Sequence, residues 1–251
     1  MKNINLLYHD IIDNAENYNS SGFVTGYSNI YKFYQDVFEG HVKKVSQSQG
    51  KKYKFTFTFD DGGIGSLLAA VILEKYQMRG VFFITTSLIG KKGFLSSEDI
   101  QSLANRGHII GSHTHTHPMI MSDCLEDELL REWNESCKIL SLIINNNIIY
   151  ASISGGSYSD VVAEMAHKVN IKKLYTSEPQ SKIKERHGME VIGRYSIHRT
   201  LSDIEIFSIL KGSKAFRIKQ YLYWNIKKIA KKLFLSLYKR VRSVILTRKV
   251  K

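Results

Sequence analysis

Short apolar runs alternate with helically spaced stretches along this chain, and several of the apolar runs end in residues able to carry chemistry. Lys54–Phe59 (KFTFTF) alternates and is rich in Thr and Phe, which reads as a strand, and it runs into Asp60-Asp61-Gly62-Gly63. Ser66–Gln77 has helical spacing through Leu67, Leu68, Val71, Ile72 and Tyr76. Gly80–Thr85 reads as the next buried strand. A helix follows from a loose Ser96/Asp99 capping box to Arg106-Gly107. The strand His108–Ser112 then delivers His113, and a third helix covers Glu126–Leu142. Beyond it come a strand over Ile148–Ile153, a helix over Val161–Asn170, and strands at Lys173–Thr176 and Glu190–Ser196. Ile4–Tyr8 opens the series, and helical character near Tyr31–Val45 is weakened by Gly40. Strand–helix alternation of this kind predicts a parallel sheet or a (β/α) barrel, an α/β fold whose site collects where strands end.

Composition narrows the partners. The chain has 251 residues, 43% of them hydrophobic, enough for a real core. Its formal charge of +13 is unevenly spread. Lys211–Lys251 holds 14 Lys/Arg and no Asp/Glu, whereas the first 210 residues carry 22 basic and 23 acidic residues. The body is neutral, so a nucleic-acid reading of the whole loses its main support. The charge break divides the chain into a main domain over 1–210 and a basic tail over 211–251. Cys124 and Cys137 form no CxxC and read as ordinary thiols. Met1–Asn14 offers only a short apolar run without a small-residue cleavage site, so no signal peptide is read there. No stretch approaches the ~18 apolar residues of a membrane span. A cytoplasmic location is the expectation.

Two stretches carry the chemistry: Thr58-Phe59-Asp60-Asp61-Gly62 and His113-Thr114-His115-Thr116-His117-Pro118. Successive side chains diverge, so Asp61 can bind a metal while Asp60 serves as base. His113 and His117, four apart, share a side if the chain turns helically after the strand. Two His and one carboxylate leave open positions on a divalent ion, which lowers the pKa of water and polarises a carbonyl. Zn²⁺ suits that donor set, and Co²⁺, Ni²⁺ or Mn²⁺ also bind it. His115 is expected to point away.

Taken together with Tyr76–Phe83 (YQMRGVFF) and Phe94–Pro118, these motifs resemble the polysaccharide deacetylases of carbohydrate esterase family 4, the NodB-homology domain. The similarity runs in order from about Asn5 to Phe207. It implies a distorted (β/α) barrel that removes acetyl groups from an N-acetylated glycan, its expected partner. Asp60 matches the family base, and Asp61, His113 and His117 match the metal ligands. Ser196-Ile197-His198 matches the motif of the general acid, so His198 would protonate the leaving amine, with Asp160 or Glu178 as orienting residue. The family's third motif carries an Arg and Pro residues that Ala151–Tyr158 lacks. Gly156-Ser157-Tyr158 resembles a variant of that loop whose backbone N–H would hold the oxyanion. Arg194 stands as either the replacement for the missing Arg or an ordinary ion-pair residue. His9, in Tyr8-His9-Asp10, either lines the site or is structural. The departures keep two other readings open: an inactive relative that binds glycan or assists assembly, and an O-deacetylase.

In the tail, Leu222, Ile226, Ile229, Leu233, Leu237, Val241 and Ile245 recur at helical spacing among Lys and Arg. A basic amphipathic C-terminal helix fits an anionic membrane surface, each basic residue adding roughly 1 kcal/mol. Packing on the domain or on a partner is the other reading. Tail and site together suggest an enzyme peripheral to the inner face of the membrane, acting on a lipid-linked or nascent surface glycan.

Overall fold

The computed structural model describes residues 2–13, 18–48 and 53–233. Its sheet is built from β1 (Lys2–Tyr8), β4 (Tyr53–Phe59), β5 (Gly80–Ile84), β6 (Ile109–Ser112), β7 (Tyr150–Ser152), β8 (Lys173–Tyr175), β9 (Lys184–Arg186), β10 (Met189–Ile192) and β11 (Tyr195–Ser196). The spatial order is β11-β1-β4-β5-β6-β7-β8-β10-β9. Every neighbouring pair is parallel except the β9–β10 hairpin. A second, two-stranded sheet pairs β2 (Asp10–Ile12) with β3 (Lys32–Tyr34). The helices are α1 (Gln35–Ser48), α2 (Ser66–Lys75), α3 (Ser97–Asn105), α4 (Glu126–Ile144), α5 (Asp160–Lys168), α6 (Asp203–Leu210) and α7 (Lys214–Leu233). Parallel strands joined by crossover helices bury both faces, so β5 is buried throughout and β4 exposes only Lys54.

The stretch expected as one strand over Glu190–Ser196 is two. β10 pairs with β8, whereas β11 pairs with β1 at the other end of the sheet. Gly193 and Arg194 carry the chain across the seam, and Asn5 Nδ2 donates to the Gly193 carbonyl at 3.2 Å. A Cβ at position 193 would lie 2.4 Å from the Glu178 carbonyl, which is why only glycine serves there. The sheet is therefore curled into an incomplete barrel.

The Ser96 cap is a full capping box with Asp99, which fixes the start of α3. The core wraps the convex face, where Trp133, Leu140, Ile100, Leu103, Phe38 and Phe57 are fully buried. Inside the curl Phe83, Val81, Tyr175 and Ile192 form a smaller cluster. The boundary expected at residue 210 falls between α6 and α7. The start of α7 rests on the barrel: Arg217 is buried with its guanidinium over the Tyr53 and Tyr195 rings at 5.3 and 5.5 Å. The expected tail positions Leu237, Val241 and Ile245 lie outside the described residues.

Candidate active site

β4 ends at Phe59 and hands Asp60 and Asp61 to the rim of the curl. The Asp60 N–H is held by the Tyr8 carbonyl of β1 at 3.1 Å. Asp61 lies at φ 76°, the left-handed region that a non-glycine residue occupies only when its surroundings impose it. That twist turns the two carboxylates apart, so they meet different partners.

Asp60 meets a guanidinium. Arg194 Nη1 donates to Asp60 Oδ1 at 2.7 Å and Nη2 donates to Oδ2 at 2.8 Å, a bidentate pair with Arg194 1% exposed. The fork is itself fixed, with Nε on the Thr176 carbonyl, Nη1 on Thr58 Oγ1 and Nη2 on Ser152 Oγ. The Phe83 and Tyr175 rings lie 5.5 and 6.0 Å from it. Burial pushes the Asp60 pKa up, but the charges of Arg194 and His113 outweigh it and hold the carboxyl below its ordinary value.

Asp61 meets two imidazoles. Its Oδ1 is 3.3 Å from His113 Nε2 and 3.4 Å from His117 Nε2. The ligand atoms of Asp61, His113 and His117 all lie within 4.8 Å of one another. His113 Nδ1 lies 3.0 Å from the Ser152 carbonyl, a partner that requires the proton on Nδ1 and leaves Nε2 as a lone-pair donor. Burial raises the Asp61 pKa, and the His113 and His117 contacts overturn that and hold it well below the usual carboxylate range. Burial lowers the His113 pKa, and Asp60 and Asp61 reverse the sign. The pocket favours positive charge, and its donor set fits a divalent cation.

The histidines do not reach this arrangement through a helical turn. Thr114 and His117 have φ of 68° and 61°, so the segment folds back in a tight left-handed loop that brings the two rings to 5.1 Å. Glu132 of α4 secures it, accepting from the His115 and Thr116 N–H groups at 2.8 Å each. His115 points away and meets Thr86 Oγ1 at 2.9 Å. The loop over Gly156, Ser157 and Tyr158 is tied to the histidine loop through Ser154, whose Oγ donates to the Pro118 carbonyl. Gly155 and Gly156 both have positive φ, which shapes that loop.

His198 follows β11 and stands outside the Asp60–Arg194 pair. Its Nδ1 lies 2.7 Å from Thr200 Oγ1. Asp160 and Glu178 are engaged elsewhere, with His187 at 3.2 Å and Lys184 at 3.0 Å. His198 is linked to the centre through rings: it makes a T-shaped contact with Tyr31 at 5.9 Å, and Tyr31 packs against His9 at 4.4 Å, tilted by 35°. His9 lies close enough to feel Asp61, Asp60, His113 and Arg194, although burial lowers its pKa overall. Its Nδ1 is buried without a hydrogen-bond partner. His9 therefore belongs to the site, which its place at the first strand end could suggest and its residue type alone could not. Glu132, on an ordinary helix face, gave no sequence signal.

Paired carboxylates and imidazoles at the C-terminal ends of parallel strands are the arrangement of a barrel enzyme. The particular family follows from comparison: residues 47–174 match the model of the polysaccharide deacetylases, and the chain belongs to that family. It is 27% identical over 143 residues to YxkH of Bacillus subtilis, provisionally named a polysaccharide deacetylase, covering 57% of this chain and 49% of that one. It is 26% identical over 132 residues to the peptidoglycan-N-acetylmuramic acid deacetylase PdaA of the same organism, covering 51% and 48%. The chain thus spans about half the length of these curated relatives. The fold resembles the Streptococcus pyogenes deacetylase PplD, solved with acetate, at a TM-score of 0.65 and 20% identity, over 80% of this chain and 95% of that one. A Bacillus cereus polysaccharide deacetylase superposes at 0.69 with 21% identity, over 84% and 69%.

Proposed function

We propose that the chain is a metal-dependent hydrolase that removes N-acetyl groups from an amino-sugar glycan. The observation that carries this reading is the pairing of two differently served carboxylates: Asp60 clamped by Arg194, and Asp61 within reach of the His113 and His117 imidazoles. Asp61, His113 and His117 would hold the ion, with Zn²⁺ the best match to the donors and Co²⁺, Ni²⁺ or Mn²⁺ also suited. When bound, a divalent ion polarises the acetamide carbonyl and acidifies water.

Asp60 accepts the proton as water adds to the carbonyl carbon. Arg194 fixes the direction of that carboxylate and keeps it ionised, trading basicity for position. A backbone N–H of the Gly156–Tyr158 loop donates to the developing oxyanion. His198 gives its proton to the amide nitrogen as the C–N bond breaks, since an amine leaves poorly as its anion. Acetate and a free amino sugar result. An inactive binding relative would have no need of so closely held a base, which favours catalysis over the binding reading. O-deacetylation uses the same groups and needs the acid less.

The test is acetate release from N-acetylated oligosaccharides and lipid-linked saccharides with and without chelator. Asp60→Asn is expected to lower kcat by at least ~10³-fold while retaining metal. Undiminished turnover in that variant would sink the assigned base.

The described part of α7 supports a peripheral location. Ile218, Leu222, Ile226 and Ile229 are all more than half exposed along one stripe, and the helix carries no acidic residue. No helix among the described residues is long and apolar enough to cross a membrane. Co-sedimentation with phosphatidylglycerol vesicles but not with neutral ones is the expected result, and equal pelleting with neither would remove the membrane from this reading.

A further inference from the structure

Residues 18–31, the longer described part of the segment between β2 and β3, frame the site on two sides. At one end of it Phe23 packs 5.2 Å from the His117 ring and 5.4 Å from Phe94. At the other, Tyr27 meets Tyr31 at 5.7 Å, their hydroxyls 3.2 Å apart. Tyr31 packs against His9 and makes a T-shaped contact with His198. A row of rings therefore runs outward from the catalytic centre, His9 to Tyr31 to Tyr27, and ends in a tyrosine that is 43% exposed.

The row is rigidly mounted. Lys32, buried, donates from Nζ to the Tyr18 and Ser21 carbonyls at 2.6 and 2.7 Å. Ser21 Oγ donates to the buried Asp10 and accepts from the Gly65 N–H. The Arg199 N–H is held by the Ile30 carbonyl at 2.8 Å, and its guanidinium lies over the Tyr18 and Tyr34 rings. Part of the entropic cost of ordering the segment is thus already met in the free protein, and an exposed ring on such a mount is a binding surface prepared in advance. A tyrosine offers a flat apolar face with a polar tip, the pairing that suits a pyranose, whose ring carries C–H groups on its faces and hydroxyls at its edge.

We propose that Tyr27 and Tyr31 form a stacking subsite for the sugar residue next to the one being deacetylated, with Tyr27 as its outer, specificity-determining face. This rests on the glycan deacetylase reading above. Binding energy gathered there, away from the reacting bond, positions the acetamide for attack. Tyr27 is the specificity residue to test, because Tyr31 also touches His9.

The experiment measures kcat and KM for acetate release from N-acetylglucosamine oligomers of increasing length, and in parallel the calorimetric Kd of the longest. Wild type is compared with Tyr27→Ala, Tyr27→Leu, which keeps bulk without a ring, and Tyr27→Phe. Ala and Leu are expected to raise KM and Kd for the longer oligomers about three- to tenfold, with kcat much less affected and Phe restoring both. Equal KM and Kd in wild type and Tyr27→Leu at every length would overturn the subsite. If wild type binds the oligomer without releasing acetate, the deacetylase reading fails while the Kd comparison still decides the subsite. If wild type does not bind it at all, the subsite is overturned.

Discussion

At the scale of single residues, the site was legible where its groups are close in sequence and obscure where they are not. Asp60, Asp61, His113 and His117 sit in two short motifs at strand ends, and the structure brings all four together. Arg194 lies 134 residues from Asp60, and only the gap in the third motif pointed to it. Its buried bidentate pair gives a sharp expectation. Arg194→Ala leaves Asp60 buried without a counter-charge and should cost about 3–5 kcal/mol of stability, read by urea unfolding. Arg194→Lys keeps the charge but not the fork, so kcat should fall at least ~10-fold with KM little changed. A fully active Arg194→Lys would mean that the planar clamp is irrelevant to the base.

Among the elements, the expected strands and helices recur with ends shifted by a few residues, because apolar periodicity marks the middle of an element better than its ends. β9 was not foreseen: its three residues, Lys-Glu-Arg, are charged and largely exposed and present no alternation. The helix α1 carries a titration that its sequence does not announce. His41 is buried between Phe33 and Phe207, beside the Tyr8 hydroxyl, and burial lowers its pKa to about 4. The unfolded chain takes up a proton near pH 6.5 that the folded chain refuses until about 4, so this stability is present above 6.5 and lost as pH falls through that window. The loss approaches roughly 3 kcal/mol. Asp10 works in the opposite direction: burial raises its pKa from 3.8 to about 6, so the stability it gives below the ordinary value is lost as pH rises through about 6. Comparison with His41→Gln isolates the first effect: the variant's unfolding free energy should fall less between pH 7 and 4 than that of wild type, and parallel curves would refute the assignment.

For the whole molecule, the fold class follows from strand–helix alternation, whereas the seam does not, because pairing between chain ends leaves no local trace. A cation held as proposed by Asp61 after β4 and by His113 and His117 after β6 would tie distant parts of the sheet together. It would bind the folded chain far better than the unfolded one, so at 100 times its Kd it should add about 2.7 kcal/mol. For a chain of this size that is roughly a 5–10 °C rise in Tm, reversed by chelator. A Tm indifferent to chelator and to added Zn²⁺ would argue against metal at Asp61, His113 and His117.

The crossing at Gly193–Arg194 has a bearing on how the protein comes into being. Tyr195 pairs with Leu6, so β1 must wait for a strand made far later in the sequence before the curl is complete. The proposed metal ligands Asp61, His113 and His117 all precede Arg194, so the guanidinium that pairs with Asp60 is the last of these groups to be made. Non-local pairing of this kind is slow to form. Under the proposed roles, closure of the β1–β11 seam and completion of the Asp60–Arg194 pair coincide, so a competent site would form only as the sheet curls shut.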